Sequence, residues 1–274
     1  MAHISALSIY PIKSTSGIQL STSMVKERGL EFDRSFVITD LQGKFITGRT
    51  KAKLVLVNLQ RIANGYLVTA PKMDDLVINF ADFSKQHHSV QVWNDSILAQ
   101  HCSVNIDEWF SKYLNTQCQL HYFGNEAQRY ISGFEQQVSF ADGYPILLIS
   151  QASLDDLNSK STSHTEMAQF RPNIVIQDCS AFAEDNWSKI KIGEVEFILP
   201  KHCSRCIFTT VDAHNGKRHA NKEPLATLEK YRLADDGEIY FGQNLIPLNH
   251  GKIQIGDKVE VLESNNSISF IALK

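Results

Sequence analysis

Short runs of β-branched, aromatic and aliphatic residues follow one another through the first half of the chain with turn-formers between them, a pattern that favours strands over helices. The runs are Ile4 to Tyr10, Ser35 to Thr39, Lys44 to Thr47, Leu54 to Ile62, Tyr66 to Thr69, Leu76 to Phe80 and Val90 to Trp93. Gln42-Gly43 and Asn64-Gly65 supply residues tolerant of positive φ between β-rich flanks, which predicts hairpins and an antiparallel sheet or barrel. From Asn105 to Leu114 the period changes. Ile106, Trp109, Phe110, Tyr113 and Leu114 share one helical face, and Cys118 to Phe123 returns to strand. This helix is expected to act as an inter-domain hinge. The polar run Gly124 to Arg129 then marks a boundary between units 1–123 and 124–274.

In the second half Ile146 to Ile149 predicts a buried strand, and Ser150 is placed to cap a helix carrying Ala152, Leu154 and Leu157. Strands are expected at Asn173 to Ile176, Ile190 to Ile192 and Val195 to Leu199, the last two joined by Gly193-Glu194. A short helix is expected from Pro224 to Arg232, with two closing strands around a Gly-Asp turn between Ile253 and Leu262. The whole is a mixed α+β fold, rich in β, with a few short helices.

At 274 residues, 43% hydrophobic and 21% charged, the chain can bury one large core or two smaller ones. A net charge of −3 provides no global field for nucleic acid or an anionic membrane, so any anion site must be local. Apolar runs such as Pro145 to Ile149 fall short of the about 20 residues that span a bilayer. Met1-Ala2-His3-Ile4 opens directly into strand pattern without the basic stretch of a signal peptide. Five cysteines are an odd and sparse set for a disulfide scaffold. The expectation is a soluble cytoplasmic protein that engages neither nucleic acid nor membrane.

Two of those cysteines stand in Lys201-His202-Cys203-Ser204-Arg205-Cys206, followed by the strand-like run Ile207 to Asp212. A neighbouring cation favours the thiolate, the form that binds a soft metal or attacks as a nucleophile. Cys102, Cys118 and Cys179 offer no second paired spacing for a zinc site, and His202 adjoins Cys203 rather than following at a ligand interval. A thioredoxin-like pair would open a helix, whereas β-branched residues follow Cys206. A single metal thiolate and a pair of inert buried cysteines both stay open.

A second set of residues has the chemistry of an anion cradle. Tyr10-Pro11-Ile12-Lys13-Ser14 ends the first strand, Asp33-Arg34 opens another, and Phe170-Arg171-Pro172-Asn173 precedes a buried one. Arginine forks, a lysine charge and neutral Ser and Asn donors would bind a phosphorylated ligand if they converged. His87-His88, His202, His214 and His219 form no helical metal pair with an intervening glutamate, and there is no GxSxG, GxxxxGK[ST] or GxGxxG. Zinc-hydrolase, serine-hydrolase, P-loop and Rossmann assignments therefore lose their usual support.

Eight segments in order now resemble a known family: YPIKS at Tyr10 to Ser14, FDRSFVITD at Phe32 to Asp40, FITGR at Phe45 to Arg49, ISQASLDDLN at Ile149 to Asn158, FRPNIVI at Phe170 to Ile176, CSRCIFTTVD at Cys203 to Asp212, KEPLATLEKYR at Lys222 to Arg232 and FGQN at Phe241 to Asn244. The chain resembles the MOSC proteins with an N-terminal MOSC β-barrel domain, the group containing the mitochondrial amidoxime-reducing component and its bacterial relatives. The resemblance implies a β-barrel-like domain at 1–123 and a MOSC β-barrel at 124–274. It also implies a molybdenum cofactor (Mo-molybdopterin), and the family carries a pyridoxal phosphate-binding label as well. On this basis Cys206 is the metal ligand, and Lys13, Ser14, Arg34, Arg171, Asn173, Ser204 and Arg205 lie against the pterin and its phosphate. Asp142 matches a family acid near the metal, a candidate for proton relay. Asn244 stands where the animal relatives carry tyrosine.

The activity so implied is reduction of small N-hydroxylated compounds to the parent amine or amidine. Some bacterial relatives append a ferredoxin-like domain, but this chain lacks the C-x4-C-x2-C spacing of a plant-type iron–sulfur site. A separate electron donor, a flavin reductase or ferredoxin-like protein, is therefore expected. The alternatives are a cofactor-binding or sulfur-carrier protein without its own turnover, and a metal-free β-barrel that binds a phospholigand.

Overall fold

The computed structural model describes residues 1–265 and 270–271. An eight-stranded sheet dominates it, with neighbours in the order Val259–Ser264, Trp187–Ile192, Val195–Ser204, Tyr240–Pro247, Ile146–Ser150, Ile174–Gln177, His3–Ile9 and Ile18–Leu20. Every pairing in it is antiparallel except that of Ile146–Ser150 with Ile174–Gln177. Parallel neighbours need a crossover, and the helix Gln151–Lys160 supplies it. The Ser150 hydroxyl caps that helix by accepting from the Ser153 N–H, as its position before the apolar run predicts.

The chain's first strands belong to this sheet, so residues from both halves of the sequence share a core that includes Ile4, Leu7, Leu148, Ile174, Phe197 and Leu245. The strand Thr22–Lys26 pairs with Gly251–Gln254, a second tie of the same kind.

A four-stranded antiparallel sheet runs Phe36–Thr39, Gln119–Tyr122, Asp95–His101, His87–Val92, and a meander of Asn58–Ile62, Gly65–Thr69 and Leu76–Asn79 packs beside it. The helix Val104–Leu114 buries Ile106, Trp109, Phe110, Tyr113 and Leu114 in the core of this unit with Phe36, Ile38, Tyr66 and Leu120. It is a structural member of that core and not a hinge. Asp107 pins it, accepting from the Leu120 N–H at 2.8 Å and pairing with His101 at 2.7 Å.

Several strand expectations change. Leu54 to Ile62 splits into a 3-10 turn, Ala52–Leu56, and the strand Asn58–Ile62, because consecutive apolar residues do not themselves set a period. Lys44 to Thr47 makes isolated bridges only. The strands around the Gly256-Asp257 turn exist, yet Gly251–Gln254 and Val259–Ser264 pair with different partners. Ile207 to Thr210 is a 3-10 turn rather than a strand. The Thr209 and Thr210 hydroxyls donate to the Cys206 and Ile207 carbonyls at 3.0 and 2.7 Å, so side chains that usually favour strands here close a tight turn.

Candidate functional site

Backbone register gathers the cradle residues. Leu7 and Leu148 both sit opposite Ile174, so the loop after His3–Ile9 and the segments before Ile146–Ser150 and Ile174–Gln177 meet at one end of the sheet. The turn after Val195–Ser204 joins them through Arg205, whose Nη1 donates to the Phe170 carbonyl at 3.2 Å. The result is a cleft of about 860 Å³ whose walls include Lys13, Ser14, Arg34, Asp142, Arg171, Asn173, Ser204, Arg205 and Cys206. These are the nine residues singled out in the sequence. Seven cationic side chains, Lys13, Arg34, Arg49, Arg129, Arg171, Lys201 and Arg205, line it against two carboxylates, Asp95 and Asp142. A chain of negative net charge thus carries a strongly positive cleft, which suits an anion.

Arg34 and Arg171 stack on the Tyr10 ring at 4.3 and 4.2 Å. Asp33, buried, takes two bonds from Arg34 Nη1 at 2.8 and 2.7 Å. Burial raises the Asp33 carboxyl above the usual range, against the pull of Arg34. Arg171 has no such partner. Its Nη1 donates to the Thr15 carbonyl at 2.6 Å, its Nη2 is buried without an acceptor, and burial, then Arg34, hold its pKa down at about 10. Arg205 likewise keeps a buried Nη2 without an acceptor while its Nε donates to the Phe241 carbonyl at 2.7 Å. Buried guanidinium nitrogens are expensive to leave unpaired, and two of them in one cleft suit an anionic ligand. Ser14, Arg34 and Arg171 all hold positive φ, at 74°, 45° and 58°, and non-glycine strain of this kind gathers at functional sites.

Asn173 is differently employed. Its Oδ1 accepts from the Leu147 N–H and Arg34, and its Nδ2 donates to the Ser8 carbonyl. It clips three segments together and fixes Arg34.

Lys13 Nζ, almost fully buried, donates to the Phe140 carbonyl and Asp142 Oδ1, both at 2.7 Å. Burial lowers the Lys13 pKa to about 8, with Asp142 opposing. Asp142 opens into the cleft. Desolvation there works against its charge, but Lys13, with Arg49 and Arg34, outweighs it and holds the carboxyl well below the usual range.

Cys206 begins the 3-10 turn, is exposed, and is free, as are the other four cysteines. Cys203 is partly buried; burial raises its thiol, against Arg205. Among the described residues no three His, Cys, Asp or Glu side chains converge as a metal-ligand set. Cys203 and Cys206 both line the cleft, so a metal there would meet thiols but no full set of protein ligands.

Three contributors were not singled out in the sequence. Arg129, read only as part of a polar boundary run, donates to the Ser139 carbonyl at 2.9 Å and the Asp142 carbonyl at 3.1 Å, and so shapes the loop bearing Asp142. Arg49 lies 4.1 Å over the Trp93 ring, and Trp93 Nε1 donates to Asp142 Oδ1 at 3.3 Å. The FITGR segment was the available signal for Arg49, and Arg129 had none beyond residue type. Trp93, with no basic stripe beside it in the sequence, reads as a core aromatic rather than a stacking platform, whereas the structure leaves it exposed under Arg49.

Two family models match this chain: the MOSC N-terminal beta barrel domain over residues 1–117 and the MOSC domain over 135–260. Mitochondrial amidoxime-reducing component 1 of Mus musculus is 33% identical over 279 residues, covering 94% of this chain and 82% of that protein. Mitochondrial amidoxime reducing component 2 of Rattus norvegicus is 34% identical over 280 residues, covering 93% and 82%. Among the described residues no helix is long and apolar enough to cross a membrane. With both family models matched in order and a third of the residues shared across nearly its whole length, this chain belongs to the MOSC family of proteins with an N-terminal MOSC β-barrel domain.

Proposed function

We propose that the protein reduces N-hydroxylated compounds to the parent amine or amidine, using a molybdenum cofactor held in the cleft and electrons from a separate flavin reductase or ferredoxin-like protein. One observation carries the proposal: the free Cys206 lines the same cleft as Arg171 and Arg205, each with a buried Nη2 that no protein group accepts. An exposed thiol, that of Cys206, beside desolvated, uncommitted anion donors suits a phosphate-bearing pterin whose metal takes a single protein thiolate; Cys203 lines the cleft too but is partly buried. The names of the relatives, which are amidoxime-reducing components, support the substrate class.

In this reading Cys206 is the one protein ligand of the metal. Arg34, Arg171, Arg205, Ser14, Ser204 and Lys13 hold the pterin and its phosphate, and Asn173 acts by fixing Arg34. The cleft is lined from both proposed domains, 1–123 and 124–274, with the first strands of the chain sheeted into the second. When bound, the molybdenum centre supplies the two-electron chemistry that parts nitrogen from oxygen. The reaction breaks one N–O bond and consumes two electrons and two protons to give R–NH2 and water. Lys13, with its pKa near 8, is an ammonium at neutral pH that can release a proton there. Asp142 Oδ1 takes Lys13 and Trp93, which leaves Oδ2 to accept from a substrate N–OH group and the Lys13–Asp142 pair to hand a proton to the departing oxygen. A cytoplasmic location fits the five free cysteines, although the relatives are named for mitochondria.

Protein from a host that makes the cofactor, given reduced methyl viologen, should turn over amidoximes and hydroxylamines, and Asp142→Asn should lower kcat by about 10²-fold or more. Cofactor-loaded protein inert toward every N-hydroxylated compound would overturn the reading in favour of a cofactor or sulfur carrier.

A further inference from the structure

Trp93 occupies a position that local chemistry argues against. It begins the two-residue turn between His87–Val92 and Asp95–His101, whose flanking residues Val92 and Asp95 pair. Its φ is +56°, a value that glycine, asparagine or aspartate normally takes in such a turn. A bulky side chain there is strained, and the residue is also 42% exposed, so neither turn geometry nor core packing accounts for a tryptophan.

The cleft does account for it. The ring is held under the Arg49 guanidinium at 4.1 Å and against the Phe45 edge at 5.3 Å, and its Nε1 is tied to Asp142 at 3.3 Å. It is thus a fixed aromatic surface, partly open, beside the carboxylate assigned above to the substrate N–OH group. We infer that Trp93 is a specificity-determining residue that selects N-hydroxylated substrates bearing a flat conjugated group, which stacks on the open part of the ring while Asp142 receives the N–OH. This rests on the proposed reductase activity. The Arg49 cover leaves the ring electron-poor on one side, which favours neutral or electron-rich flat groups over cationic ones.

Benzamidoxime and acetamidoxime share the reacting group and differ in the ring, so their KM ratio isolates the platform. Trp93→Gly removes the ring and suits the turn. It should raise the KM for benzamidoxime about five- to tenfold relative to that for acetamidoxime, the size of one aromatic stacking contact. Its Tm should hold or rise as strain is released. Benzamidoxime should quench tryptophan fluorescence in the wild type and not in Trp93→Gly. If both KM values move together, or quenching survives the substitution, the inference is overturned. Wild-type protein inert toward both amidoximes would defeat the reductase proposal instead, and the quenching comparison then decides the platform alone.

Discussion

Phe208 fills the space that a side chain at Gly48 would need: a Cβ built on Gly48 would lie 2.0 Å from the Phe208 ring. Gly48 belongs to the FITGR segment of the N-terminal half, and Phe208 lies two residues beyond Cys206, on the 3-10 turn that Cys206 begins. The candidate metal ligand is therefore held partly by a contact from the other half of the chain.

Gly48→Ala should cost about 1–3 kcal/mol in stability as Phe208 is displaced. Adding Phe208→Ala should recover part of the loss, because the two residues are in contact and their effects do not add. Chemical denaturation of the two single variants and the double variant measures the coupling; strict additivity would contradict it.

The unpaired Nη2 atoms predict a ligand that stabilises by binding only the folded state. Inorganic phosphate should raise the Tm of cofactor-free protein, each tenfold excess over Kd adding about 1.4 kcal/mol. In Arg171→Met the rise should be largely lost, as a calorimetric titration would record.

The depressed pKa of Lys13 predicts the direction of two pH effects. Its folded value, about 8, lies below its ordinary 10.5, so the folded state sheds this proton first and the group adds stability as pH rises between those values. Over the same window the cleft loses a cation. Sulfate, which does not titrate there, should bind about tenfold more weakly at pH 9.5 than at pH 7, with the dependence flattened in Lys13→Met.

Thiol accessibility distinguishes the two halves of the CxxC. Cys206 is exposed, whereas Cys203 is raised by burial and Cys102 and Cys118 are buried with raised thiols. Maleimide should modify Cys206 first in cofactor-free protein and spare it when the cofactor is bound. Peptide mapping would detect the opposite order.

The cationic cradle was legible because arginine, lysine and their strand-end positions can be read one by one, and the register of His3–Ile9, Ile146–Ser150 and Ile174–Gln177 then brings them together. The turn after Cys206 was not. Its threonines have strand propensity, and only their hydroxyl bonds to the Cys206 and Ile207 carbonyls reverse it. Arg129 was hidden for another reason: its partners, the Ser139 and Asp142 carbonyls, are backbone atoms that no side-chain pattern announces. Nor could periodicity reveal that the first strand closes the sheet of the second half, since pairing between residues as far apart as His3 and Gln177 leaves no local trace.

The central claim is that Cys206 is the single protein ligand of a molybdenum pterin, and metal and pterin analysis tests it most directly. Protein purified from a host competent in molybdenum-cofactor synthesis should contain near-stoichiometric molybdenum, and Cys206→Ser should contain almost none while remaining folded. Equal molybdenum in the two proteins, or none in either, would contradict it.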